Sequence, residues 1–188
     1  YQVNQLNEKI VGSWKSPRLP LPSLRTTFYK YRIHSFIKQH VPQDKWVAIK
    51  DPRLLLTYDL WSPYFDEKKI IGIIRRPEEV AQSLSIRDDY ARADFEAGLE
   101  LWRIHNQELL NLRDSLAFPI LNFNRSKHDF GKQLEAACSR LEIPYSADAF
   151  GSTFTDDKKH HEALDIPAGC RDVYDASSAT PRLHYEFA

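Results

Sequence analysis

Apolar positions recur along the chain with two periods. In residues 1–11 (YQVNQLNEKIV), Val3, Leu6 and Ile10 sit at helical spacing and predict a short amphipathic helix. A Pro-rich loop from Ser16 to Pro22 follows. Leu24 to Gln39 predicts a second helix, with Phe28, Tyr31, Ile33 and Phe36 on a broad apolar face. Residues 46–50 (WVAIK) form an apolar run stopped by Asp51 and Pro52, the pattern of a buried strand. Residues 54–65 predict a short helix and then a loop. Residues 69–75 (KIIGIIR) predict the strongest strand, almost continuously apolar as in a parallel sheet covered on both faces. Pro77 suits a first helical turn, and Glu78 and Glu79 favour a helix N-terminus, so a helix is predicted from Pro77 to about Arg87. A long helix follows from Ala93 to Ser115, with Phe95, Leu99, Trp102, Leu109 and Leu112 along one stripe. Residues 118–123 (FPILNF) predict another strand. Phe130 to Leu141 predicts a helix with Leu134 and Cys138 inward. From Pro144 onward the chain is polar and irregular, with weak helical hints.

This order of elements predicts one α/β domain spanning residues 1–188. A central parallel sheet would lie between helices, with right-handed crossovers. Ligands of such sheets bind beyond the C-terminal ends of the strands. Two strand ends stand out by their charge: Lys50 to Arg53, and Arg75 to Pro77.

Composition narrows the function classes. Lys+Arg and Asp+Glu are both 26, so no global basic field calls for nucleic acid as a partner. No apolar run reaches the length of a membrane span. The two cysteines, Cys138 and Cys170, make no disulfide framework, and Cys138 lies on an apolar stripe that suits a core residue. With no visible signal peptide, this points to a cytoplasmic protein. Seven histidines are present; His105 lies on the long helix and reads as structural or surface. His160 and His161, within KKHH, have no Cys or carboxylate partners at ligand spacing, so no metal site is expected.

In WVAIKDPR, Lys50 offers a compact cation and Arg53 a planar fork, with Asp51 able to orient either. The same residues also suit a surface turn with a local ion pair. In IIRRPEEVAQS, Arg75 ends a strand and Pro77 opens a helix whose free N–H groups favour an anion. Ser83, eight residues on, can add a hydroxyl. Alternatively, Arg75 and Arg76 pair with Glu78 and Glu79.

Together, in this order and spacing, the two motifs resemble the bacterial branch of the sulfotransferase family. Lys-Asp-Pro-Arg followed by Leu-Leu-Leu-Thr is similar to one family segment. Arg-x-Pro-x-Glu-Val-Ala-x-Ser is similar to its 3′-phosphate-binding motif. NQLNEKIVGSW, ELWRIHNQELL and FTDDKKHH are similar to flanking segments. The resemblance implies a P-loop-like three-layer fold. It also implies 3′-phosphoadenosine 5′-phosphosulfate (PAPS) as cofactor, with 3′,5′-ADP as product. The acceptor would be a small-molecule or carbohydrate hydroxyl or amine. Arg75 and Ser83 would hold the 3′-phosphate, joined by Arg53 as a cofactor ligand. Lys50 would stabilise the transferring group, and Asp51 would act as base or orienter. A non-catalytic binding relative and a P-loop kinase-like phosphotransferase are the alternatives.

The chain departs from the family at two points. No Gly-rich 5′-phosphosulfate loop is present: Gly12 alone precedes the first motif, and no GxxxxGK[ST] spacing occurs. The chain begins at Tyr1 and contains no Met, so a preceding strand–loop–helix is expected. A degenerate relative without the loop is the other reading. Where the cytosolic branch carries a histidine, two residues past the lysine, this chain has Pro52.

Overall fold

The computed structural model describes residues 2–12, 23–42, 46–87, 93–154 and 165–179. They are mostly helical. By its internal contacts the chain divides into two compact units, Tyr1–Lys68 and Lys69–Ala188.

The first unit holds helices α1 (Gln2–Val11), α2 (Ser23–His40) and α3 (Leu54–Trp61), with a 3₁₀ turn at Ser62–Tyr64. Both predicted early helices form within a residue or two of their expected ends. Each turns a stripe inward: Leu6, Ile10 and Val11 from α1, Ile33 and Ile37 from α2, and Leu60 and Trp61 from α3 make one core. Phe28 and Tyr31, expected on the apolar face of α2, are exposed instead. The core-facing side of that helix is narrower, set by Ile33 and Ile37.

The predicted strand at 46–50 does not form. Trp46 is 65% exposed and Val47 is also exposed. A strand needs a neighbouring ladder to satisfy its backbone groups. Among the described residues of this unit every regular element is helical, so this run forms no strand.

The second unit contains the parallel pair. Strand β1 (Gly72–Ile74) aligns with β2 (Ile120–Asn122), in the register Gly72↔Ile120, Ile73↔Leu121 and Ile74↔Asn122. Helices α4 (Pro77–Ser85) and α5 (Phe95–Leu116) make the crossover between them. Helices α6 (Lys127–Arg140), α7 (Ala147–Thr153) and α8 (Ala168–Ser178) follow. The sheet is smaller than a three-layer domain requires, with two strands among the described residues. Both strands are shorter than predicted, and β1 is not covered on both faces: Ile73 is 58% exposed.

Helix ends follow local chemistry. Asp94 caps α5 by accepting from Ala97 N, and Ser126 caps α6 by accepting from Asp129 N. Close packing of α4 on α5 depends on Gly98, where a Cβ would meet the Ala81 Cα at 2.9 Å. Ile74, Ala81, Leu99, Trp102 and Cys170 form the core around β1. Leu121, Phe130 and Ala137 form a second core, with Phe123, Phe150 and Phe154 packed against it. Helices α7 and α8 arise where the sequence reads as irregular. The second is anchored by Cys170, Val173 and Tyr174 rather than by a long apolar stripe.

The Pro-rich loop from Ser16 to Pro22, the His160–His161 pair and His184 lie outside the described residues. Among the described residues, no helix is long and apolar enough to cross a membrane.

Candidate functional site

The sequence singles out Lys50, Asp51 and Arg53, which belong to the first unit, and Arg75 and Ser83, which belong to the second. The two sets are built differently.

Asp51 and Arg53 are each only 7% exposed. Asp51 Oδ1 accepts from the Arg53 backbone N and from Arg53 Nε, both at 3.0 Å. Asp51 Oδ2 accepts from Arg53 Nη2 and from Asn7 Nδ2, both at 3.1 Å. A carboxylate has about four acceptor sites, and these four donors fill them. Asn7 extends the network, its Oδ1 accepting from Trp61 Nε1 at 2.9 Å and from Thr57 Oγ1 at 3.1 Å. All five side chains are buried. The network ties α1 to α3 and leaves Asp51 no lone pair for a substrate proton. Lys50, one residue before it, is exposed. It lines a groove of about 270 Å³ with Val3, Phe36, His40 and Ile49.

In the second unit, both strands of the parallel pair lead into polar residues: Asn122 is the last residue of β2, and directly after Ile74 comes Arg75. Its carbonyl accepts from Trp102 Nε1 at 2.8 Å, which fixes the backbone. Its Nε donates to Glu79 Oε2 at 2.8 Å, one helical turn on. Its guanidinium carbon lies 5.6 Å from the centre of the Phe123 ring. Its Nη2 is buried and, among the described residues, has no hydrogen-bond partner. A buried, unmatched guanidinium donor is costly, and an anion is a ligand that would satisfy it.

Beside it, the Arg76 backbone N donates to Asn124 Oδ1 at 2.6 Å, and Asn124 Nδ2 donates to Glu79 Oε1 at 2.7 Å. The Arg76 side chain pairs with Glu78, which is fully buried and whose Oε2 is unmatched. Two guanidinium groups thus face two carboxylates, and the cluster is formally neutral. Ser83 lies on α4, half-buried, one turn beyond Glu79 and on the same helix face. The structure therefore brings Arg75 to the N-terminal end of α4, with Ser83 further along it. It pairs Asp51 with Arg53.

Sequence reasoning missed Asn122 and Asn124. Their signal is the polar NFN run that closes a predicted strand, where ligands of parallel sheets bind. Glu79 was legible as an ion-pair partner of the arginines, though not its bridge to Asn124.

Other titratable groups behave as core or surface. Burial pushes both the Cys138 and Cys170 thiols up, which keeps them protonated and unreactive. His105 is buried on α5, its Nδ1 2.9 Å from the Leu101 carbonyl. No group of three or more His, Cys, Asp or Glu side chains suited to a metal occurs among the described residues. No protein-family model, curated protein or solved structure matches this chain.

Proposed function

We propose that this chain is a sulfotransferase-type protein that binds PAPS at the C-terminal end of a parallel sheet. In this reading it has a P-loop-like architecture of which β1 and β2 are the core. Its reaction transfers the sulfuryl group to a hydroxyl or amine acceptor. The bond from sulfur to the bridging phosphate oxygen breaks, a bond from sulfur to the acceptor forms, 3′,5′-ADP leaves, and the acceptor proton is released. Arg75 and Ser83, both in the second unit, take the 3′-phosphate.

The observation that carries this reading is the unmatched Nη2 of Arg75, held at the start of α4. There the guanidinium and the helix N-terminus favour the same negative ligand. The test is calorimetric titration of 3′,5′-ADP into the full chain and into Arg75→Ala. The parent is expected to bind, and the variant to bind at least about tenfold more weakly, the worth of one charge-assisted hydrogen bond. A folded parent that ignores 3′,5′-ADP rules the reading out. The saturated carboxylate of Asp51 favours a second reading, nucleotide binding without transfer. Release of 3′,5′-ADP from PAPS in the presence of candidate acceptors separates the two.

A further inference from the structure

Two turns meet at the C-terminal end of the β1–β2 pair, and one side chain joins them. Asn124, on the turn after β2, accepts from the Arg76 backbone and donates to Glu79. The orientation of its amide follows from its partners. A backbone N–H requires the oxygen, and a carboxylate requires the NH₂ group. The other oxygen of Glu79 accepts from Arg75 Nε. Asn124 is braced in turn. Its backbone N donates to Asn122 Oδ1 at 2.9 Å, and Asn122 Nδ2 donates to Tyr174 Oη and Ser178 Oγ on α8, both at 3.2 Å.

An arginine side chain loses much rotamer freedom when it is fixed, a cost that a ligand must otherwise overcome when it binds. Here the guanidinium is held before any ligand arrives. Glu79 contacts it through Nε, and Nη2 stays buried and unmatched.

We propose that Glu79 and Asn124 are positioning residues that hold Arg75 by its Nε and aim Nη2 at a phosphoryl oxygen. This rests on the reading of Arg75 as an anion ligand. The turn after β2 thereby sets the affinity of a site whose ligands lie on β1 and α4.

A charge-conserving swap in the full chain tests it. Asn124→Asp removes the donor to Glu79 and sets two carboxylates side by side. Adding Glu79→Gln reverses the bond: the oxygen of the introduced amide again accepts from Arg75 Nε, and its nitrogen donates to the new carboxylate. The cluster keeps its formal charge. Affinity for 3′,5′-ADP is expected to fall about tenfold in the single variant, one charge-assisted hydrogen bond's worth. In the swapped pair it should return to within about threefold of the parent, as coupled neighbours do. The Arg75 Nε–H NMR resonance should follow the same course: resolved in the parent, lost to exchange in Asn124→Asp, and restored in the pair. Parent-like affinity in Asn124→Asp overturns the proposal, as does a swapped pair that regains the resonance but not the affinity. Should Asn124→Asp fail to fold, the swapped pair alone decides: near-parent affinity supports the proposal and loss overturns it. If the parent itself ignores 3′,5′-ADP, the anion-ligand reading has failed instead. The resonance then decides whether the relay holds Arg75, and its persistence in Asn124→Asp overturns that.

Discussion

Each unit holds an arginine against a carboxylate a few residues away, and the two pairs differ in what they leave over. Arg53 and Asp51 meet through two parallel side-chain bonds, and the Arg53 backbone N and Asn7 take the remaining carboxylate sites. Arg75 and Glu79 meet through one bond, and a buried guanidinium nitrogen is left without a partner. A closed pair is finished as structure. An open pair retains an unmet demand, and a ligand can supply what is missing. The difference separates two motifs that the sequence presents as equivalent strand-end charge clusters.

The largest expected effect is on the closed pair. Asp51→Ala takes from the buried Arg53 guanidinium its hydrogen-bonded carboxylate and leaves only Glu8 Oε2, 4.0 Å from Nη1; breaking a buried pair from one side costs about 3–5 kcal/mol. Urea denaturation followed by circular dichroism checks this. Asn7→Ala should cost less, about 1–3 kcal/mol, because it strands polar partners but no charge. Both variants should leave the affinity for 3′,5′-ADP unchanged when measured on folded protein. A loss of affinity at full stability would break the comparison, since Asp51 would then belong to the site.

The open pair predicts the opposite pattern. Arg75→Lys keeps the charge and loses the planar fork. Affinity for 3′,5′-ADP should fall about tenfold while the loss of stability stays well below that of Asp51→Ala, because the charge facing Glu79 is kept. Paired calorimetry and urea denaturation read both quantities. Arg53→Lys is the matched control, and should cost stability rather than affinity.

The sequence could not have drawn this distinction. Periodicity carries the helices well, because stripes such as Leu6–Ile10 and Leu99–Trp102 are local in the chain and each implies a buried face. It carries less of the sheet. The runs at 69–75 and 118–123 are rightly strands, yet their length depends on what covers them. WVAIK shows the limit: five apolar-leaning residues say nothing about whether a ladder is at hand. Of the site, Arg75 and the start of α4 were legible from Pro77 and the acidic first turn. Asn124 was not, because its bonds to Arg76 and Glu79 span 48 and 45 residues. Nor was the saturation of Asp51, which depends on an asparagine 44 residues upstream. Contacts of that range leave no mark on local spacing.

A third pair tests whether geometry or burial makes the Arg53–Asp51 pair strong. On α5, Arg103 donates from Nε and Nη2 to the two oxygens of Glu100, at 2.8 and 2.7 Å. This is the same two-bond fork, but the side chains are 45% and 54% exposed. The hydrogen bond from Arg103 holds the Glu100 carboxyl below the usual carboxylate range. A depressed folded value stabilises the fold above the ordinary pKa and loses that stabilisation as pH falls through the lowered one. Water and salt screen the pair, so the contribution should be small. Glu100→Gln is expected to shift the thermal midpoint at neutral pH by no more than about a degree, and by less in high salt or strong acid. If burial decides, this smallest effect should sit beside the large loss in Asp51→Ala. A Glu100→Gln shift as large as that of Asp51→Ala would mean that the fork itself, and not its burial, carries the energy.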